Sequence, residues 1–294
     1  MIRNAILLGD CRDTLRSLPD QSVHCVVTSP PYFGLRDYGG QQLQIGREAT
    51  PDEFVAAMVD VFREVRRVLR DDGTFWLNLG DSYARTGGTD KQPPGFRAKD
   101  RLMIPARTAI ALHADGWYLR DEIIWHKPRT TPAPVKDRTV AAHEMVYLFS
   151  KSPRYHFDYL AIEEPSKYPG QVKKAGKAFR DMEAVDPDAA RKRPGADREI
   201  EVRDTRRKRS VWSVSPSPYK DAHFATYPPD LIEPMILAGC PKGGIVLDPF
   251  FGAGTTGLVA QRLGRNWIGC ELNPEYVEIA RRRLGLPQGV EDLI

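Results

Sequence analysis

The sequence predicts an α/β protein, a parallel sheet with helices on both faces, and three observations carry that prediction. Short apolar runs with strand character alternate with amphipathic helical stretches along most of the chain. One such run, Gly244-Ile245-Val246-Leu247, delivers Asp248 into a glycine turn, Gly252-Ala253-Gly254, that opens straight into a helix. That turn, and the acid Glu271 beyond the next strand, stand near the end of the chain. In an ordinary nucleotide-type sheet the glycine turn follows the first strand and the acid follows the second. Here those two units come last, and the chain begins with a strand of the kind that should come third. The order is that of a circularly permuted sheet, cut just before its third strand.

Taken in order, residues 5–8 form an apolar run that ends at Gly9-Asp10, too short and too soon followed by an acid for a secretory signal. It reads as a buried strand. A helical stretch around Leu15 and Leu18 follows, then a buried strand over residues 23–27 that runs straight into Ser29-Pro30-Pro31-Tyr32. Thr50-Pro51-Asp52-Glu53 is a helix start with proline in its first turn. Phe54, Met58, Val61, Phe62, Val65 and Leu69 supply that helix's apolar face, Gly73 ends it, and residues 74–79 make the next strand. Residues 86–99, rich in Gly, Pro and charge, predict a loop. A helix over 104–114 precedes strands at 117–125 and 144–149. The last part reads as a helix over 228–238, the strand and glycine turn, a helix over 255–263, a strand over 267–270 and a final helix opened by Pro274.

Composition is that of an ordinary globular protein: 294 residues, 41% hydrophobic and 28% charged, enough to bury a substantial core. No apolar stretch approaches the roughly 18 residues a membrane helix needs, so no membrane partner is expected. The four cysteines, at 11, 25, 240 and 270, form no Cys-x-x-Cys pair and have no histidine at zinc spacing. No metal site is expected, and a reducing cytosol is the expected setting. The net charge of +4 is unevenly spread: residues 151–213 hold 16 Lys/Arg against 11 Asp/Glu, leaving 27 against 28 elsewhere. Residues 158–210 also lack sustained periodicity. The expected organisation is therefore a catalytic half over 1–151, a basic insertion over 152–215 and a cofactor-binding half over 216–294. Charge alone leaves a nucleic-acid contact and a solvated surface both open for the insertion.

Two segments carry chemistry. Gly252 and Gly254 let the backbone approach a small cofactor closely, and the free N–H groups at the helix start near Thr255 and Thr256 favour a carboxylate. Asp248 could accept from a cationic amine, and Glu271 lies at the distance at which an acid bridges ribose hydroxyls. Ser29-Pro30-Pro31-Tyr32 leaves the carboxyl end of a strand, the edge where such sheets place ligands. Pro93-Pro94, Pro228-Pro229 and Ser215-Pro216-Ser217-Pro218-Tyr219 do not share that position. Its two prolines restrict the backbone, so the Pro30 carbonyl and Ser29 hydroxyl are preset acceptors for amino protons, while Tyr32 offers a stacking face.

Together, Thr28-Ser29-Pro30-Pro31-Tyr32 and Asp248-Pro249-Phe250-Phe251-Gly252-Ala253-Gly254-Thr255-Thr256, with Gly269-Cys270-Glu271-Leu272-Asn273-Pro274, resemble the DNA amino-methyltransferases. The resemblance covers almost the whole chain and matches the permuted beta group, in which the catalytic loop precedes the cofactor turn. It implies a Rossmann-like methyltransferase sheet with an inserted target-recognition region, S-adenosyl-L-methionine as cofactor and double-stranded DNA as partner. A cognate restriction endonuclease and a second copy of the chain are further partners it leaves open, in a cytoplasm of prokaryotic or phage type. By the same resemblance, Ser29, Pro30, Pro31 and Tyr32 are catalytic. Asp10, His223, Ala225, Asp248, Phe250, Gly252, Gly254, Thr255, Thr256, Glu271 and Asn273 bind the cofactor, with Asp10 near its adenine and the segment from His223 to Pro228 near its methionine moiety. Ile124-Trp125-His126-Lys127-Pro128 and His143-Glu144 resemble strands behind the target-base pocket, and the family's target-recognition region would fall in the basic insertion, whose charge surplus makes Lys173, Lys174, Arg206, Arg207 and Arg209 the expected phosphate contacts.

The implied reaction moves a methyl group from the cofactor to an exocyclic amine by direct in-line attack, on a base flipped out of the duplex. Serine before the proline pair leans the resemblance toward cytosine N4, with adenine N6 the alternative. Cytosine-C5 methylation needs a cysteine that its family carries after proline, and none of the four cysteines follows one. RNA and protein N-methyltransferases share the loop and the cofactor but usually place the glycine turn first and carry asparagine in the loop. A silent DNA-binding protein on this fold would not need Ser29, Tyr32, Asp248 and Glu271 intact.

Overall fold

A computed structural model of the chain describes residues 2–35, 43–84, 95–130, 135–174, 199–216 and 227–287. In chain order its elements are strand β1 (Ala5–Leu8), helix α1 (Cys11–Arg16), β2 (Val23–Thr28), α2 (Pro51–Val68), β3 (Leu69–Leu79), α3 (Ile104–Ala114), β4 (Tyr118–His126) and β5 (His143–Ser150). The short strands β6 (Glu164–Pro165), β7 (Val172–Lys174), β8 (Glu199–Glu201), β9 (Thr205–Arg206) and β10 (Val211–Ser213) follow. The chain then forms α4 (Pro229–Gly239), β11 (Ile245–Asp248), α5 (Thr255–Arg262), β12 (Asn266–Glu271) and α6 (Pro274–Leu284).

Eight strands make one sheet in the order β1-β12-β11-β2-β3-β5-β4-β10. The permutation is visible in the pairing. Strand β11, which carries the glycine turn, lies between β12 and β2, and β1 docks in parallel on the far side of β12. The first strand of the chain thus occupies the third position of a nucleotide-type sheet. Alternate residues of the strands face opposite layers. Leu7, Val26, Phe75, Leu77, Leu247 and Ile268 join the buried cluster with α1, α2 and α3. On the other face α4 packs on β2 and β3, where Gly239 lies against Thr74, Trp76 and Cys25.

Helix α2 shows why these residues fold as they do. Thr50 and Glu53 form a reciprocal capping box, Pro51 stands in the first turn and Arg66 and Arg67 in the last. Its side chains Phe54, Met58, Val61, Phe62, Val65 and Val68 are all buried, each contributing roughly 1.5 to 3 kcal/mol.

The structure corrects the expected elements at three places. Helix α2 ends at Val68, not at Gly73: Leu69 turns to an extended backbone with ψ 137° and pairs with Val23, so Gly73 lies inside β3. The Lys151 Nζ group holds the Leu69 carbonyl at this corner, 2.9 Å away. The sheet is not wholly parallel either. Strand β5 runs antiparallel to both β3 and β4; among the described residues no helix lies between β4 and β5, and a parallel return needs such a crossover. Finally, β10 lies within the stretch expected as insertion, yet it pairs in parallel with the β4 edge.

Two compact units result, one of residues 1–158 with 209–294 and one of residues 159–208. The smaller contains a 3₁₀ turn at Leu160–Ile162 and two antiparallel pairs, β6 with β9 and β7 with β8. Among the described residues no helix is long and apolar enough to cross a membrane.

Candidate active site

Both sequence-marked segments lie on the carboxyl edge of the sheet, and one cavity of about 450 Å³ joins them. That volume is within the range of small-molecule sites, roughly 300 to 1,000 Å³. Its wall runs from Gly9, Asp10, Phe250, Gly252, Thr255, Glu271 and Asn273 at one end to Ser29, Pro30, Pro31, Tyr32, Asn78 and Glu144 at the other.

The glycine-turn end is built by β11, β12 and β1. Gly252 and Gly254 take left-handed φ values of +52° and +77°, which only glycine adopts without strain. A Cβ on Gly254 would also stand 3.0 Å from that of Ala280. The Glu271 carboxylate reaches behind the turn and accepts the N–H of Gly252 at 2.7 Å and of Asn273 at 2.8 Å. Burial raises its pKa, with the backbone donors opposing. A carboxylate offers about four lone-pair sites, so acceptor capacity remains for two neighbouring hydroxyls. Pairing of β1 with β12 brings Asp10 beside Glu271, through the Gly9 N–H bond to the Glu271 carbonyl at 2.9 Å. Asp10 caps α1 and is gripped by Arg12, which outweighs the opposing burial and lowers its pKa. The first N–H groups of α5, from Thr255 onward, have no intrahelical acceptor.

Asp248, expected to accept from a cationic amine, is held here by protein donors. It is 1% exposed and lies beneath the turn rather than in the cavity wall. Thr28 donates to its Oδ1 at 2.6 Å, Phe250 N at 3.0 Å, and Thr256 and Tyr227 donate to its Oδ2 at 2.5 and 2.8 Å. Burial raises its pKa against these bonds. Asp248 therefore acts as a fastener: one carboxylate joins the last residue of β2, the turn and the start of α5. Thr256 shares this buried position, whereas the Thr255 hydroxyl accepts from Arg283 at 2.8 Å.

At the other end, a polar network backs the proline loop. The Ser29 hydroxyl donates to Asn78 Oδ1 at 3.2 Å, and Asn78 is itself oriented by the Met145 carbonyl at 3.1 Å. Tyr32 Oη donates to Glu144 Oε2 at 2.6 Å, and Glu144 Oε1 is paired with Lys127. Since the Ser29 proton is committed inward, its oxygen can act as an acceptor toward the cavity. The Tyr32 ring rests on Gly80, where a Cβ would meet it at 2.4 Å. Lys127 Nζ also sits 4.3 Å above the Trp125 ring, whose Nε1 donates to the Val214 carbonyl at 2.8 Å. Thus Trp125, Lys127, His143 and Glu144 all border the cavity.

Thr28 was read only as the first residue of the loop motif, without a role of its own, and Asn78 was not singled out, although a polar residue within the apolar run Trp76-Leu77-Asn78-Leu79 is a signal that could have found it. His223 and Ala225 lie outside the described residues. Of the basic residues assigned to DNA, Arg206 pairs with Glu164 at 2.9 Å and Arg207 stands 4.8 Å over the Tyr159 ring. Lys173 and Lys174 lie in β7, while Arg209 falls in the larger unit. All four thiols are buried, and burial pushes them up, Cys240 and Cys270 to about 12. None is poised as a nucleophile.

A permuted nucleotide-type sheet, with one cavity leading from a glycine turn to an acceptor-lined aromatic loop, defines a group-transfer enzyme that brings a small cofactor to a flat substrate. The chain belongs to the DNA methylase family, whose model matches residues 23–282. It is a DNA methyltransferase of the group acting on exocyclic amines, N4 of cytosine or N6 of adenine. It is 44% identical to the Type II methyltransferase M.XycI of Xanthomonas campestris pv. cyanopsidis over 94% of this chain and 86% of that protein. Identity to the Type II methyltransferase M.SmaI of Serratia marcescens is 41%, over 95% and 90%. The fold matches the PvuII DNA methyltransferase (cytosine-N4-specific) with a TM-score of 0.67 at 23% identity, covering 99% of this chain and 89% of that one. A Thermus thermophilus protein solved in complex with S-adenosyl-L-methionine matches with a TM-score of 0.59 at 26% identity, over 97% and 96%.

Proposed function

We propose that this protein is a site-specific DNA (cytosine-N4)-methyltransferase that uses S-adenosyl-L-methionine and modifies a base flipped out of the duplex. The observation that carries the reading is the single cavity joining the Glu271 and Gly252 end to the Ser29 and Tyr32 end. S-adenosyl-L-methionine supplies an electrophilic methyl group. Glu271 accepts its ribose hydroxyls, Asp10 lies toward its adenine, and the N-terminus of α5 favours its carboxylate. At the other end the Ser29 Oγ and Pro30 carbonyl accept the protons of the target amine. That interaction localises on nitrogen a lone pair otherwise spread into the ring, and so makes it a better nucleophile. Tyr32 supplies a ring on which the flipped base stacks, and no covalent bond forms between protein and DNA. The preference for cytosine rests on Ser29 before the proline pair. The Type II relatives support a restriction-modification setting in a prokaryotic or phage cytoplasm, with a cognate endonuclease as partner.

Mass spectrometry of digested DNA from cells expressing the protein tests the reaction. N4-methylcytosine is expected, N6-methyladenine would move the assignment to the other amine, and C5-methylcytosine would overturn the mechanism. The cofactor assignment has its own test. Glu271→Ala should weaken S-adenosyl-L-methionine binding by about 1.5 to 3 kcal/mol, the scale of hydrogen bonds involving a charged group. Unchanged affinity in a calorimetric titration of the folded variant would remove Glu271 from the site.

The basic segment around Lys173, Lys174, Arg206, Arg207 and Arg209 is assigned to DNA phosphates on its charge surplus. Each phosphate interaction that a glutamine substitution removes should flatten the slope of log affinity against log salt by about 0.9. An unchanged slope and affinity would make that segment a solvated surface only.

A further inference from the structure

We infer that a second phosphate-binding surface, formed by two loops of the larger unit, grips the DNA beside the catalytic cavity. The inference rests on the reading of that cavity as the place where a flipped base is methylated. The loops span residues 95–101, before α3, and 127–142, between β4 and β5. Their described residues carry seven basic side chains against two acidic ones, a net +5 that exceeds the +4 of the whole chain. Chain order hides this concentration, because the two segments are separate in sequence and neither stands out alone. Folding joins them: Lys99 bridges to Asp137 at 2.7 Å, and the Arg138 guanidinium stacks 3.9 Å over Tyr83. Tyr83, Arg101 and Lys127 line the cavity itself, so both loops meet its wall.

The cations divide into two groups. Arg101 and Lys127 are committed to Asp81 and Glu144 and serve the cavity wall. Arg129 and Lys136 are exposed and have no acidic partner among the described residues, and Arg138 is exposed with its charge spread over an aromatic face. Arg97 is 93% exposed and stands 3.7 Å from Asp100. Unpaired guanidinium and ammonium groups around a pocket of this kind fit the phosphates flanking an extruded nucleotide. They hold position and carry no sequence information, so the partner is the duplex backbone of any sequence.

The test uses the full-length protein and fluorescence anisotropy with duplex DNA at 50 to 200 mM salt, with and without the methylated site. The variant R129Q/K136Q/R138Q should flatten the salt slope by about 0.9 for each phosphate released, up to roughly 2.7, equally on both duplexes. R129K/K136R/R138K, which keeps the charges, should restore the slope. If the glutamine variant does not fold, the three single substitutions decide by the same slope. Wild-type protein that methylates DNA, alongside a folded glutamine variant with wild-type slope and affinity, would overturn the inference alone. Wild-type protein that methylates no DNA would overturn the functional reading and the inference with it.

Discussion

Replacement of Tyr32 by alanine is expected to lower turnover by about 100-fold or more while S-adenosyl-L-methionine affinity stays within about threefold. Two losses combine. The stacking face is worth roughly 1 to 3 kcal/mol for a base on an aromatic ring. The hydroxyl that donates to Glu144 goes with it, so the network holding Ser29 and Asn78 loses its outer member. Tyr32→Phe separates the two, because it keeps the ring on Gly80 and removes only the hydroxyl; a decrease of about 10-fold is expected, the cost of one net hydrogen bond of roughly 1.4 kcal/mol. Single-turnover kinetics with saturating cofactor provide the measurement. Wild-type turnover in Tyr32→Ala would place the reacting base elsewhere.

The second large effect is on stability. Asp248→Ala removes the shared acceptor of Thr28, Thr256, Tyr227 and the Phe250 N–H, all around a buried site. An unsatisfied buried group costs about 1 to 3 kcal/mol, and with partial relaxation the total should reach about 3 to 5 kcal/mol. A melting midpoint lowered by roughly 6 °C or more is expected, at about 2 to 4 °C per kcal/mol for chains of this size. Asp248→Asn keeps one acceptor oxygen and should lose less. Because Thr28 directly precedes Ser29, the alanine variant should lose cofactor affinity and turnover together, unlike Tyr32→Ala. A folded Asp248→Ala protein with an unchanged midpoint would remove Asp248 from the role of fastener.

The contrast between these residues shows which parts of the molecule could be read before folding. The strand-turn-helix around Gly252 and the loop at Ser29 are contiguous, and their chemistry is local, so residue type and order were enough to place them on the ligand edge. The permutation was legible for the same reason, since it depends only on the order of units along the chain. The burial of Asp248 was not legible, because the end of a strand looks the same whether its side chain faces a cavity or the layer beneath. That choice depends on Thr28 and Tyr227, 220 and 21 residues away. Asn78 acquires its role only through partners on β5 and the loop after β2. The end of α2 escaped for a different reason. Leu69 suits a helix face by spacing, but its pairing with Val23 and the Lys151 clamp favour a strand.

The position of Trp125 has an optical consequence. All five tryptophans are buried, and Trp76, Trp117, Trp212 and Trp267 do not border the cavity. Trp125 does border it, beneath the Lys127 ammonium. On the proposed function, a base that enters the cavity and shifts Lys127 off the indole face should change the emission of Trp125. Such a change would report occupancy of the cavity, separately from binding at the duplex surface, without an attached dye.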